Sequence, residues 1–207
     1  MEFDTGSFDA MTEVLRWRRD VRHFRTDPIP EEDLDILKAA MDLAPSVGNA
    51  RPWRVLRVRD PKVMAEARAI FEACNAAAAG SYDGDQRDDY MALKLSGLDD
   101  APVQLCVFTE TAPEEGHGLG RATMPETLGQ STAMAVYSMM LTARAMNIGA
   151  GMVSILEPGK IEALFEVPET WQFSSWICVG YPQKMDDTPL LHRSGWQENT
   201  TTVWEDR

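Results

Sequence analysis

The chain has 207 residues, of which 44% are hydrophobic, and Lys+Arg 20 against Asp+Glu 33 leaves a formal net charge of -13. That apolar share supplies one buried core and argues against disorder. The acidic excess repels phosphate, which excludes a protein that coats nucleic acid or an anionic membrane, so any phosphate ligand must be caught by a local basic cluster.

Phe8, Met11 and Leu15 predict a first amphipathic helix, with Ser7 as its cap and Asp9 in its first turn. The acidic start has no basic stretch followed by an apolar one, so no signal peptide and a cytoplasmic location are expected. The helix runs into Arg16, Arg18, Arg19, Arg22 and Arg25. These read either as a solvated helix end favoured by the C-terminal dipole or as a phosphate anchor, because guanidinium forks match phosphate oxygens bidentately. Asp20 among them is at least an ion-pair partner. Spacing alone leaves these readings open.

After the D-P-I-P turn at Asp27 to Pro30, Glu31, Glu32 and Asp33 suit a helix start, and Leu34, Leu37 and Met41 give it an apolar stripe that Pro45 ends. A-P-S-V-G-N-A-R-P-W, Ala44 to Trp53, reads as a well-made turn carrying the Ser46 hydroxyl and a flexible Gly48. Trp53 to Val58 predicts a strand. Val63, Ala67, Ile70 and Cys74 predict a helix face, and Val103 to Thr109 a strand buried on both sides. Between them, residues 75–100 pass from alanines through S-Y-D-G-D-Q-R-D-D and resume helical spacing at Tyr90, Lys94 and Leu98, which predicts a surface lid.

Thr123 and Glu126 form a capping-box pattern around Pro125, and a long helix of good formers is expected to run from there until Gly149 and Gly151 stop it. It is apolar nearly all round, and a chain of this size has little room to bury such a helix, which predicts a homodimer. Its uncharged stretch is too short and too polar for a membrane span. Val153 to Leu156 and Ser175 to Tyr181 read as strands, with a short helix over Ile161, Leu164 and Phe165. Trp196 and Trp204 lie in an aperiodic tail over 183–207, expected to pack on a partner subunit. One α+β domain over 1–207 is expected, and the chain lacks the G-x-G-x-x-G turn of a dinucleotide-binding unit.

Cys74, Cys106 and Cys178 are far apart with no C-x-x-C pair, and His23, His117 and His192 are scattered. Neither a disulfide framework, a metal site nor a hydrolase triad is favoured. Ser154 has no neighbouring histidine to activate it.

Taken together, R-R-D-V-R-x-F at Arg18 to Phe24, A-P-S-V-G-x-x-x-P-W, L-G-R at Leu119 to Arg121, the long helix and G-x-G-x-V-S-I-L from Gly149 resemble the nitroreductase-like flavoproteins. Within them the pattern is most similar to the 5,6-dimethylbenzimidazole synthase branch. The resemblance spans roughly Met11 to Trp196. It implies an α+β fold with a mixed, mainly antiparallel sheet flanked by helices, in an intertwined homodimer with flavin at the subunit interface. It carries FMN phosphate and ribityl contacts to Arg18, Arg19 and Arg22, and an approach to the flavin across the interface to Ser46 and Gly48. Val21, Lys94 and Arg193 are further implied flavin contacts. Asp20 and Ser154 match the two residues on which the branch depends; ordinary nitroreductases usually have serine where Asp20 stands.

The branch implies FMNH2 as substrate, supplied by a flavin reductase, and O2 as co-substrate, with the isoalloxazine cut to 5,6-dimethylbenzimidazole, the cobalamin lower ligand, and erythrose 4-phosphate. A lid over 75–100 would keep water away. Arg51 stands where relatives often carry Gln. The competing readings are an NAD(P)H-dependent nitroreductase or quinone reductase in which FMN survives each turnover, and a non-catalytic FMN-binding protein.

Overall fold

A computed structural model describes residues 1–207. The elements in chain order are α1 (Thr5–Trp17), α2 (Glu31–Asp42), β1 (Trp53–Val58), α3 (Pro61–Ala79), α4 (Gly84–Ala92), β2 (Val103–Glu110), α5 (Thr127–Ala145), β3 (Gly149–Val153), α6 (Pro158–Leu164), β4 (Trp171–Gly180) and α7 (Leu190–Arg193). The strands form one sheet in the order β1-β2-β4-β3, and each adjacent pair is antiparallel.

Strand alternation sends the side chains of β2 to two cores. Val103 and Val107 join Leu37 and Met41 of α2 and Val136 and Met139 of α5 on one face. Cys106 and Phe108 join Ala67 of α3, Ile161 of α6, Trp176 and Phe24 on the other. The expected two-sided burial of this strand is what the sheet has. No helix is long and apolar enough to cross a membrane.

Several boundaries differ from the sequence reading. The cap of α1 is Asp4, whose Oδ1 accepts from the Ser7 amide at 2.8 Å, so Ser7 lies inside the helix. Nothing on α1 is buried. The alanines at 76–79 continue α3, as their helix propensity favours. α4 stops at Ala92 and Leu93 is extended, which leaves Lys94 and Leu98 beyond the helix whose stripe they were expected to extend.

α5 begins at Thr127, not at a Thr123 box. The Thr123 amide donates to the Gly120 carbonyl in a preceding turn, and Pro125 disfavours helical geometry at Met124. Asn147, at φ 60°, and not the glycines, turns the chain out of α5. Gly149 and Gly151 therefore belong to β3, which precedes the Val153 to Leu156 strand expected.

Candidate active site

Strand β3 has β4 on one side, and its other side takes the segment that follows α1. Asp20 bridges Ala150 in parallel, and the Val21 amide donates to the Ala150 carbonyl at 3.1 Å. Farther on, Phe24 bridges Pro182 and the Arg25 amide donates to the Tyr181 carbonyl at 2.8 Å. The glycines permit this approach: a β-carbon on Gly151 would stand 2.0 Å from the Val21 carbonyl oxygen. They serve strand packing, not helix termination.

That docking aims the charged side chains. The Met152 amide donates to Asp20 Oδ1 at 3.2 Å, and Arg22 donates to Asp20 Oδ2 at 3.3 Å and to the Met152 carbonyl at 2.7 Å. The Asp20 carboxylate is thus held at both oxygens. Ser154 is exposed just past the end of β3, two residues after Met152.

Arg18, Arg19, Asp20, Arg22 and Lys94 line one cavity of about 230 Å³, together with Leu190 and Leu191. The Arg18 guanidinium lies over the Tyr137 ring at 5.6 Å, and its buried Nε has no hydrogen-bond partner. Arg19 is partly committed to structure, since Nε donates to the Asp187 carbonyl at 3.0 Å and a terminal nitrogen to the Arg18 carbonyl at 2.7 Å. Desolvation by burial, then the neighbouring Arg18 charge, lowers the Arg19 pKa. Lys94 pairs with Asp100. Val21 is buried beneath the segment, and Arg193 pairs with Asp186 at 3.2 Å on α7 beside the cavity.

Ser46 and Gly48 are elsewhere. Ser46 Oγ accepts from the Arg51 amide at 3.0 Å, and the Val47 amide donates to Ser131 Oγ at 3.0 Å, which fixes this turn near the start of α5. Gly48 has φ 57°. Arg18 and Arg19 lie instead against Met140 and Arg144 near the other end of α5. Neither Ser46 nor Gly48 lines the cavity of Arg18, Arg19 and Arg22, so one chain does not bring this turn to its own arginine cavity. Arg51 is exposed, 3.8 Å from Asp42.

Apolar surface lies along the same helices, with Phe8, Met11 and Leu15 of α1 and Met134 and Tyr137 of α5 exposed. Trp196 packs on Tyr82 and Tyr90 of its own chain, whereas Trp204 is 91% exposed. The aromatic pairing and the Tyr137 contact with Arg18 have no signature in residue spacing. Among the buried thiols, desolvation pushes Cys178 up to about 12 and Cys106 higher, which leaves neither a nucleophile near neutral pH.

The Nitroreductase family model matches residues 15–181. The chain is 59% identical over 207 residues, all of both proteins, to a 5,6-dimethylbenzimidazole synthase of Rhodobacter capsulatus. It is 47% identical to the synthase of that name from Rhodospirillum rubrum, over 94% of this chain and 92% of that one. The fold is similar to a solved structure of oxidized iodotyrosine deiodinase bound to FMN and 3-iodo-L-tyrosine, with a TM-score of 0.75 at 23% identity over 95% of this chain and 99% of that one.

Proposed function

The chain belongs to the nitroreductase family, and from that premise we propose that it forms 5,6-dimethylbenzimidazole, the cobalamin lower ligand, by O2-dependent fragmentation of FMNH2, with erythrose 4-phosphate released from the ribityl chain and the pyrimidine portion of the ring leaving as a separate oxidised fragment. The observation that carries this reading is a cavity lined by Arg18, Arg19, Arg22 and Lys94 in a chain of net charge -13, with the Asp20 carboxylate in its wall. The names of relatives at 59% and 47% identity support it.

The residues fit a flavin mononucleotide. A buried guanidinium nitrogen without a partner, as at Arg18 Nε, is a donor awaiting an acceptor. Burial first, and then the neighbouring Arg18 charge, lowers the Arg19 pKa, and an anion beside the two guanidinium groups offsets both. The 230 Å³ of the cavity is below the ~300–1,000 Å³ of sites that enclose a whole drug-sized ligand. It takes the phosphate end and leaves the ring to be covered by other elements.

Reduced flavin, when bound, supplies the electrons that activate O2. Arg18, Arg19 and Lys94 hold the phosphate, Arg19 also bracing the backbone at Asp187, and Arg22 aims the Asp20 carboxylate. Asp20, pinned at both oxygens, accepts and returns a proton at a fixed position, and the exposed Ser154 hydroxyl donates to the ring or to oxygen. In a homodimer, Ser46, Gly48 and their turn complete the partner's site, and the exposed faces of α1 and α5 close against the second copy. Residues 75–100 act as the lid that excludes water. A flavin reductase supplies FMNH2.

The test is aerobic incubation of the protein with FMN, NADH and a flavin reductase, followed by mass spectrometry. Loss of flavin absorbance matched by 5,6-dimethylbenzimidazole is expected. Flavin recovered intact, with sustained NADH oxidation in the presence of a nitroaromatic, would replace the proposal with an ordinary reductase.

A further inference from the structure

The tail between Asp186 and Trp196 touches both the arginine cavity and the lid. At its near end Arg16 pairs with Asp187 at 2.6 Å, Arg19 donates to the Asp187 carbonyl at 3.0 Å, and Arg193 pairs with Asp186. Leu190 and Leu191 then wall the 230 Å³ cavity. Leu190 and Lys94 are shared with an adjoining cavity of about 320 Å³ that Trp196 also lines. At the far end the Trp196 ring meets Tyr82 edge-on at 5.3 Å and Tyr90 at 6.0 Å, and the two tyrosines lie 5.1 Å apart.

The lid is secured unequally. Its C-terminal end is fixed, because Gln104 Nε2 donates to the Ala101 carbonyl at 3.1 Å while Gln104 Oε1 accepts from Trp176 Nε1 at 2.6 Å. Gly97 is closed over by the Phe24 ring, only 2.3 Å from where a β-carbon would sit. α4 is different, for Tyr90 is its one buried residue, anchored by its hydroxyl to Asn75 Oδ1 at 2.7 Å. An element with so little buried apolar surface opens locally at low cost, and the aromatic cluster is its main attachment.

We propose that residues 186–196 form a strap that couples occupancy of the arginine cavity to closure of the lid, with Trp196 as the positioning residue that holds α4 shut. The strap rests on the flavin reading of that cavity. An anion on Arg18 and Arg19 bears on the guanidinium that grips the Asp187 carbonyl, and α7 carries that constraint to Trp196.

Hydrogen exchange over residues 82–95 of the full chain, with and without oxidised FMN, tests it, with FMN binding measured in parallel by flavin fluorescence. In the wild type, FMN is expected to slow exchange there about five-fold or more. Trp196→Ala is expected to bind FMN within about ten-fold of wild type but to lose that slowing, and to convert a smaller fraction of consumed FMNH2 into dimethylbenzimidazole. Trp196→Phe restores both. Slowing that persists in Trp196→Ala, or is absent from a wild type that binds FMN, overturns the strap. A wild type that does not bind FMN at all overturns the reading of the cavity and the strap with it.

Discussion

Along the edge of β3 the chain meets its own needs: Asp20 is held by Met152 and Arg22, Arg19 by the Asp187 carbonyl, and the backbone of Val21 by Ala150. Along α1 and the outer face of α5 the opposite holds. Phe8, Met11, Leu15, Met134 and Tyr137 are exposed, and the Ser46 turn is tied to the far end of α5 from the arginines. One region is internally satisfied within a single chain, while the other leaves apolar side chains exposed, which the proposed homodimer would cover with a second copy. Positioning of charge needs short, internally satisfied contacts, whereas an exposed apolar face gains from a partner.

The comparison breaks most readily at Asp20. Asp20→Asn keeps the shape and loses the proton acceptor, so dimethylbenzimidazole formation should fall about 10²- to 10⁴-fold while FMN affinity, read by fluorescence, changes only a few-fold. Undiminished product would remove Asp20 from the chemistry. Next comes Gly151→Ala, which drives a methyl into the Val21 carbonyl 2.0 Å away. A loss of about 3 kcal/mol is expected, a Tm lower by about 6–12 °C in a thermal melt; an unchanged Tm would mean that the edge segment is not docked as described.

The other region is sharpened by a charge on its apolar face. Tyr137→Glu combined with Met134→Glu should weaken self-association about 10- to 100-fold in sedimentation while leaving the protomer folded by circular dichroism, because those side chains are exposed in one chain. A dimer of undiminished affinity would move the interface off α5.

The smallest effect is at Asp187, whose pKa is lowered chiefly by the Arg16 hydrogen bond and then by Thr188. A carboxylate with a depressed folded-state pKa contributes stability that is full above its unfolded value of about 3.9 and is lost as pH falls through the lower folded value. Asp187→Asn should therefore cost a degree or so of Tm at pH 7 and flatten the decline below about pH 4. An identical acid profile would mean that the pair is idle in solution.

Much of this was legible from the residues. The strand from Trp53 to Val58 is bounded as expected, since its β-formers sit between Pro52 and the Asp60–Pro61 pair that caps and starts α3. Of the arginine run, Arg18, Arg19 and Arg22 converge with Asp20 and Lys94 on one cavity, whereas Arg16 and Arg25 pair with Asp187 and Asp27. Other expectations failed where a competing interaction won. Asp4 took the cap from Ser7, and Asn147 took the exit of α5 from the glycines, while Trp196 has aromatic partners within its own chain.

The order of charges, the apolar period of each helix and the alternation of the strands follow from composition and local sterics, because they depend on neighbours a few residues apart. That R-R-D-V-R lies on the free edge of β3, that Gly149 and Gly151 exist to admit it, and that the tail spans from Asp187 to the Tyr82–Tyr90 pair were decided only by folding. Each joins residues more than a hundred positions apart, and such contacts are selected by the fit of packed surfaces, which no local pattern encodes.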